Sequence, residues 1–230
     1  MTIAENIIAN MKKDSFISAM TVALPILNLK NETIGKLVPV GKWILSEDEK
    51  IKSLTQWREK NIKFFFSQSK PSNERTIWYL NNFSIKKNNR IFFLIYSDKN
   101  EFIGHIGLAD IGKEFAVLDN LMRGVSTGNS KLIYFSIVAI IDWFFKNFET
   151  NKIYGKIISY NWLAISLHEE VGFKIIDKTP LKKVKEINHA KVEEINHINV
   201  NLPDSNVRYF CTKVLLDKKE FYKNIYWISV

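Results

Sequence analysis

The sequence has few of the residues that form covalent or metal-held scaffolds. Its 230 residues include one cysteine, Cys211, and four histidines. A single cysteine excludes an intramolecular disulfide, and the scattered histidines lack the spacing of a structural zinc site. The composition therefore predicts a fold held by its apolar core, in a reducing cytoplasm, without a metal.

Long apolar runs are also missing. The longest strongly apolar run, Leu132 to Ile141, stops at Asp142, so it predicts a buried helix and not a membrane span. Near the N-terminus two lysines precede a mostly apolar stretch, but Glu5 comes before them and polar residues interrupt the stretch. We interpret this segment as an amphipathic helix leading into a first strand, not as a signal peptide, and predict no membrane partner.

Basic residues exceed acidic ones, giving a formal net charge of +9. The chain is also rich in Asn and Ile, a bias that raises the lysine content without any selection for binding, so a solvated lysine surface explains the charge. A nucleic-acid-binding module would interleave lysines and aromatics on one face. Here the aromatics fall mainly at apolar strand and helix positions, which favours a core and disfavours a nucleic-acid partner.

The hydrophobic periodicity predicts one α/β domain over residues 34–230, preceded by a helical or extended appendage over 1–33. No low-complexity linker divides the chain. Strands are predicted at 36–40, 90–97, 102–111, 115–122, 152–159, 174–187 and 207–216, and helices at 46–61, 71–83, 130–148 and 161–173. The strands between 90 and 122 form an antiparallel meander. The tetrapeptide EINH occurs at Glu186–His189 and again at Glu194–His197, and we interpret it as a solvated hairpin within the polar connection 188–206.

A glycine-bearing turn, RGVSTGNSK, joins the third meander strand to the long apolar helix. Unpaired backbone N–H groups and the positive end of the helix dipole meet at such a turn, and glycines let the main chain approach an anion closely. No acidic residue lies between Arg123 and Asp142. The pattern predicts an anion site, although many glycine turns only connect a strand to a helix.

The later stretch NWLAISLHEEVGF and the order of elements resemble the GNAT superfamily of acyl-CoA N-acyltransferases. The pyrophosphate loop of that family reads RxxGxG/A, and Arg123 and Gly128 keep the pattern whereas Ser126 replaces the middle glycine. The later family motif is roughly NxxAxxLYExxGF, with His168 where tyrosine is usual. The matching residues are Asn161, Ala164, Leu167, Glu169, Gly172 and Phe173. Other stretches are similar to the branch that contains nucleotide-linked amino-sugar acetyltransferases and RimJ/RimL-like protein N-terminal acetyltransferases.

The resemblance implies a GNAT fold: a mixed sheet of about six to seven strands flanked by helices, with a V-shaped cleft for acetyl-CoA. The residues that it assigns to acetyl-CoA, the co-substrate, are Leu121, Met122, Arg123, Gly124, Ser126, Thr127, Gly128, Asn129 and Asn161. The acceptor would approach across the first two helices and the last hairpin. The predicted acceptor-binding residues there are Trp57, Arg58 and Trp78, of which both tryptophans are equally suited to be core anchors.

Four residues are candidates for the proton transfers. His168 takes the position of the family's tyrosine, which donates a proton to the departing thiolate. Asp119 is the first candidate base, because an acid among apolar residues needs an explanation, and simple alternation places it on the same side of its strand as Val117 and Leu121. Glu114 and His105 are the other candidate bases.

The function expected from the resemblance is acetyl transfer from acetyl-CoA to a small-molecule amine, with a nucleotide-linked amino sugar as the favoured acceptor. A protein N-terminus is the alternative acceptor. A CoA-binding protein without turnover is a further alternative, because both Ser126 and His168 depart from the family pattern. A homodimer is compatible with the sequence.

Overall fold

The computed structural model describes residues 2–186, 189–194 and 209–228. The helices in this part of the chain are α1 (Ile3–Met11), α2 (Phe16–Thr21), α3 (Asp48–Lys60), α4 (Asn73–Tyr79), α5 (Leu132–Asn147), α6 (Trp162–Val171) and α7 (Lys218–Ile228). The strands are β1 (Leu24–Leu27), β2 (Thr33–Pro39), β3 (Ile91–Ser97), β4 (Phe102–Ala109), β5 (Ala116–Arg123), β6 (Lys152–Ile158), β7 (Lys174–Glu186), β8 (His189–Glu194) and β9 (Phe210–Asp217). The predicted α/β class is confirmed.

The strands form one sheet in the order β1-β2-β3-β4-β5-β6-β9-β7-β8. All neighbours are antiparallel except β5 and β6, which run parallel, so the sheet is mixed as predicted. The nine strands among the described residues exceed the predicted six to seven. The difference arises at the two edges, where the N-terminal segment supplies β1 and part of the predicted polar connection supplies β8.

Both faces of the sheet are covered, which explains why β3 is apolar at nearly every position. Ile91, Phe93 and Ile95 face the core that contains α5, whereas Phe92 and Leu94 face a second core beneath α3. A strand buried on both faces reads as a continuous apolar run and not as an alternation. Helix α5 therefore lies on one side of the sheet, and the helices predicted to contact the acceptor lie on the other.

The N-terminal segment packs into the domain. Ile8 and Met11 of α1 are buried in the core that contains α5, and Ala19 of α2 is buried in the second core. The side chain of Lys12 donates hydrogen bonds to the carbonyls of Ile85 (3.1 Å) and Lys87 (2.6 Å). The described part of this segment, residues 2–33, thus contributes to both cores and to the sheet, and the division at residue 33 stays a prediction.

Local sequence signals for helix ends agree with the structure at two places. Ser72 caps α4 by accepting a hydrogen bond from the Arg75 N–H at 3.3 Å. Gly172 ends α6 with a φ of 110°, a left-handed conformation that favours glycine. Ser46, the first residue of the predicted helix 46–61, does not cap α3, because it lies in a preceding 3₁₀ turn and Glu47 takes the cap position without a side-chain bond.

Within the described ranges, no helix has the length and apolarity that a membrane crossing requires. The same residues contain no group of three or more His, Cys, Asp or Glu side chains that could hold a metal ion. His197 of the second EINH and most of the predicted connection 188–206 lie outside the described residues.

Candidate functional site

The cleft at the centre of the sheet is formed by β5 and β6. These strands pair only at Ala116 with Ile153 and at Val117 with Tyr154, and they diverge beyond that point. The β5 edge from Leu118 onward is therefore not paired with β6. An extended ligand that carries amide groups can hydrogen-bond to such an edge as an added strand does.

A β-bulge at Asn120 interrupts β5 just beyond the last paired residue. In the pairing of β5 with β4, Met122 lies opposite His105 and Asp119 lies opposite Gly107. β4 has one residue between these two pairs and β5 has two, so β5 carries one extra residue. Asn120 has a φ of 53°, in the left-handed region that asparagine tolerates better than most residues. The bulge reverses the alternation of β5, so Leu121 packs in the α5 core while Asp119 faces the other side. The expectation that Asp119 and Leu121 share a side is wrong for this reason.

Two of the candidate bases bind the main chain of this bulge. His105 Nδ1 lies 2.5 Å from the Asn120 carbonyl oxygen, and the Asn120 N–H donates to Asp119 Oδ1 at 2.8 Å. The His105 ring is buried between Trp57 and Phe92. Burial lowers the pKa of His105 to about 4, so the ring is neutral at pH 7 and Nδ1 donates its proton to the carbonyl. His105 therefore holds the bulge and is enclosed by aromatic rings.

The loop between β5 and α5 is organised by Arg123. The guanidinium donates hydrogen bonds of 2.8–3.4 Å inward to main-chain carbonyls of Val125, Ser126, Thr127, Asn129 and Ser130. Because the carbonyl oxygens are bonded to Arg123, their partial negative charge is directed at the guanidinium and not at an anion bound to the loop N–H groups. Arg123 thus shapes the loop from inside.

The N–H groups of the loop are available to a ligand. Among the hydrogen bonds of the described residues, none uses the N–H of residues 126 to 130. Gly128 has a φ of 81°, where a side chain would be strained, whereas Ser126 is not among the residues with positive φ. The serine that departs from the family pattern therefore occupies a conformation open to any residue. Successive free N–H groups at a helix start form an anion-binding concavity.

A cluster of charged and polar side chains lies on the acceptor side of the sheet, beside the bulge. It consists of Arg58, Tyr79, Arg90 and Asp119, and we call it the arginine cluster. Arg90 donates to Asp119 Oδ2 at 3.0 Å, and the Asn120 amide donates to the Tyr79 hydroxyl at 2.7 Å. Burial raises the pKa of Asp119, and the charge of Arg90 opposes that shift. The Asp119 side chain is 37% exposed, so solvent reaches this carboxylate.

Comparisons of the structure with solved structures identify the fold. The chain is similar to the spermidine N-acetyltransferase from Vibrio cholerae, solved with CoA and spermine: TM-score 0.58, 14% identity, 77% of this chain and 94% of that one. It is also similar to FdhC, a nucleotide-linked sugar GNAT, with a TM-score of 0.58 and 12% identity over 85% of this chain and 94% of that one. A third similar structure is the Campylobacter jejuni N-acetyltransferase PseH, with a TM-score of 0.51 and 15% identity over 80% of this chain and 99% of that one. The chain has the GNAT fold. No family model and no curated protein matches the sequence.

The predicted acyl-transfer histidine is buried in this GNAT fold. His168 Nδ1 lies 2.7 Å from the carbonyl oxygen of Ala164, one turn earlier in α6, and the ring packs against Phe173. Two ring atoms lie 3.5 Å from the position that a Cβ at Gly155 would occupy, so the ring lies next to this glycine of β6. Burial lowers the pKa of His168, and the bond to Ala164 favours the neutral tautomer with the proton on Nδ1. In that tautomer Nε2 accepts a hydrogen bond, so the predicted donor role requires a second proton.

The side chains of Asn161, Leu121 and Met122 have structural roles beside the cleft. Asn161 caps α6 by accepting a hydrogen bond from the Ala164 N–H at 3.4 Å. Leu121 packs against the α5 core, and Met122 is buried in the second core. These two side chains therefore point away from the cleft, and only their main-chain atoms are available along the strand edge.

The structure separates the predicted acceptor-binding residues. Trp57 is buried at 6% exposure beneath the loop, and a Cβ at Gly124 would overlap its ring. Trp57 is thus the core anchor of α3 that supports the loop, which was the alternative role given for it, and this burial does not support the prediction that it binds the acceptor. Trp78 is 58% exposed and contacts Phe83, and only Arg58 belongs to the arginine cluster.

Glu114 lies apart from the other candidate bases. It is exposed in the turn before β5, next to the end at which β5 and β6 are paired. The cleft opens at the opposite end of these strands. Glu114 therefore does not join Asp119 and His105 at the bulge.

Three residues of the site were missed by sequence reasoning: Tyr79, Arg90 and Asn120. Tyr79 lies within the predicted helix 71–83 and Arg90 begins the predicted strand 90–97, but neither was assigned a functional role. The unpaired Asp119 among apolar residues was the available signal, since a half-buried carboxylate requires a cationic or hydrogen-bonding partner. Nothing in the sequence indicates which of the many basic residues that partner is.

Proposed function

We propose that this chain is an acetyl-CoA-dependent N-acetyltransferase that acts on a small-molecule amine. The observation that carries the proposal is the loop after β5, where Arg123 binds five carbonyls and leaves the N–H groups of residues 126 to 130 for an anion. The unpaired edge of β5 beyond Val117 leads directly to this loop. Together they suit a ligand with a pyrophosphate and an amide-bearing arm, which are the parts of CoA.

The relatives in structure support the same chemistry. One is a spermidine N-acetyltransferase solved with CoA, and another is a nucleotide-linked sugar GNAT. We extend N-acetyl transfer to this chain on the strength of the shared fold together with its own loop and strand edge. Acetyl-CoA would supply the activated acetyl group.

The residues of this chain would prepare the acceptor for attack. An amine arrives as an ammonium and must lose a proton before it can react. Asp119 is the carboxylate nearest to the bulge and is partly exposed, so it can receive that proton directly or through water. The main-chain bonds from His105 and Asp119 keep Asn120 in its left-handed conformation and so fix the strand edge at this point.

We favour a nucleotide-linked amino sugar as the acceptor. Two arginines beside one carboxylate suit an acceptor that carries negative charge as well as an amine. A protein N-terminus is the alternative acceptor, and it is included in the test.

The test combines calorimetric titration with acetyl-CoA and a thiol-release assay over a panel of amines. The panel contains a nucleotide-linked amino sugar, the free amino sugar, spermidine and a peptide with a free N-terminus. We expect micromolar or tighter CoA binding and turnover of the first compound. Absence of CoA binding at micromolar concentrations would refute the proposal, and binding without turnover of any amine would favour a non-catalytic CoA-binding protein.

A further inference from the structure

The arginine cluster contains more positive than negative charge, although it is half-buried. The Arg90 side chain is only 18% exposed and pairs with Asp119, which is the one acid in direct contact with it among the described residues. Arg58 and Lys12 add two further cations close enough to influence Asp119 and Arg90 respectively. Asp110 also affects Asp119, but it lies in an exposed turn. Even when both acids are counted, the cations are in excess.

The two guanidinium groups retain unused donors. Arg58 is fixed over the Phe65 ring at 4.2 Å and donates to the Ser67 carbonyl at 3.0 Å. Arg90 donates to Asp119 and, at 3.5 Å, to the Tyr79 hydroxyl. A guanidinium carries several N–H donors in a fixed planar fork. Both arginines are therefore held in position, while most of their donors have no partner among the described residues and can bind a ligand.

The Tyr79 hydroxyl is oriented by its neighbours. Its oxygen accepts hydrogen bonds from the Asn120 amide at 2.7 Å and from Arg90. Because the oxygen is occupied as an acceptor by these two groups, its own O–H proton points to a different partner. No bond donated by this hydroxyl occurs among the described residues. A donor next to two arginines adds to a site for anionic oxygens.

We propose that Arg58, Tyr79 and Arg90 bind an anionic group, a phosphate or carboxylate, on the acceptor amine. This inference rests on the proposed acetyl transfer and specifies its substrate class: an amine with negative charge on the same molecule. Arg90 binds the anion with the donors that Asp119 does not use, while Asp119 remains the group that receives the ammonium. A polyamine, which carries only positive charge, would be repelled by the excess of cations.

Direct binding of uridine diphosphate tests the site independently of turnover. The protein is first saturated with CoA, so that the loop after β5 is occupied, and is then titrated calorimetrically. We expect Arg58→Gln and Arg90→Gln each to weaken binding at least about tenfold, which corresponds to about 1.4 kcal/mol. Arg75→Gln removes the same charge from an exposed position on α4 and is expected to change the affinity less than about twofold.

Arg90→Gln leaves Asp119 without its ion-pair partner, so Arg90→Lys is measured as well. Lysine keeps the charge and the ion pair but loses the planar fork, and an intermediate affinity is expected. Thermal unfolding of each variant reports whether it is folded. The CoA affinity, which belongs to the loop, should be the same in all four variants.

Turnover provides the second test. We expect the KM of a nucleotide-linked amino sugar to lie at least about tenfold below that of the free amino sugar, and Arg90→Gln to remove this difference with a smaller effect on kcat. Equal uridine diphosphate affinity in wild type, Arg58→Gln and Arg90→Gln would overturn the site, as would efficient turnover of spermidine. Loss of CoA binding in the wild type would instead refute the proposed acetyl transfer.

Discussion

At the scale of single residues, histidines and acids that look alike in the sequence take different roles. His105 is enclosed by aromatic rings and holds the bulge, whereas His168 is bonded to its own helix above Gly155. Asp119 is paired with Arg90, and Glu114 is exposed in a turn. The partner of each side chain, and not its type, separates a structural role from a chemical one.

His168→Phe tests whether the buried ring takes part in proton transfer. Phenylalanine fills a similar volume beside Phe173 but has no titratable nitrogen, so CoA affinity should change less than about threefold. If the ring donates a proton to the departing thiolate, kcat should fall on the order of 10²-fold. The measurement is steady-state kinetics with calorimetric CoA titration, and an unchanged kcat would remove His168 from the mechanism.

His105 should make the stability of the fold depend on pH. Its pKa is lowered from 6.5 to about 4, so between these values the unfolded chain binds a proton that the folded chain does not. Stability is therefore lost as the pH falls from 6.5 towards 4, by on the order of 3 kcal/mol from this residue. His105→Gln keeps a donor for the Asn120 carbonyl without titrating. Urea unfolding measures the free energy of unfolding at pH 7 and at pH 4.5. The decrease between these two pH values should be larger for wild type than for His105→Gln, and equal decreases would contradict the role of His105 in the pH dependence.

At the scale of elements, the loop between β5 and α5 depends on shape as well as charge. Arg123 contributes to the loop chiefly through its five inward hydrogen bonds. Gly128 supplies the left-handed turn, and Gly124 leaves room for Trp57 below the loop. The serine at position 126 keeps an ordinary conformation, so its departure from the family pattern does not by itself exclude a CoA-binding loop.

Matched substitutions in this loop separate shape from charge. Arg123→Lys keeps the charge but cannot bind several carbonyls at once, and we expect CoA to bind at least about tenfold more weakly. Gly128→Ala should weaken binding about 5- to 30-fold, because alanine at a φ of 81° costs about 1–2 kcal/mol. Ser126→Gly is the control and should stay within about threefold of wild type. Calorimetric CoA titration is the measurement, and a normal affinity for Arg123→Lys would mean that only its charge matters.

At the scale of the whole molecule, the N-terminal segment is part of the stability of the domain. It contributes the edge strand β1, core residues on both sides of the sheet, and Lys12, which binds the carbonyls of Ile85 and Lys87. Burial, followed by the charge of Arg90, lowers the pKa of Lys12 to about 8. The segment thus reaches the neighbourhood of the arginine cluster and connects it to the sheet edge.

Two isoleucines of α1 provide a matched test of this role. Ile8 is 1% exposed and Ile3 is 79% exposed. Ile8→Ala should lower the free energy of unfolding by about 2–5 kcal/mol, whereas Ile3→Ala should change it by less than about 0.5 kcal/mol. Urea unfolding followed by fluorescence measures both. If both variants lower the free energy of unfolding by less than about 0.5 kcal/mol, α1 does not contribute to the stability of the domain.

Much of the fold could be predicted from the sequence because its signals are local. Apolar periodicity located the meander strands and α5, and the glycine turn located the loop that joins β5 to α5. Each of these depends on residues within a turn or a strand of one another. The strand count was too low, since it did not include β1 and β8, which are short strands at the two edges of the sheet.

The sequence by itself therefore determined most of the elements, the position of the loop after β5 and the absence of an intramolecular disulfide. Only the tertiary structure decided the bulge, because an extra residue in β5 exists only relative to its partner strand β4. It also decided that Asp119 pairs with Arg90, 29 residues earlier, and that Trp57 supports Gly124 from below. These contacts join segments that are distant along the chain, and their pairing follows from the packing of the whole sheet and not from local chemistry.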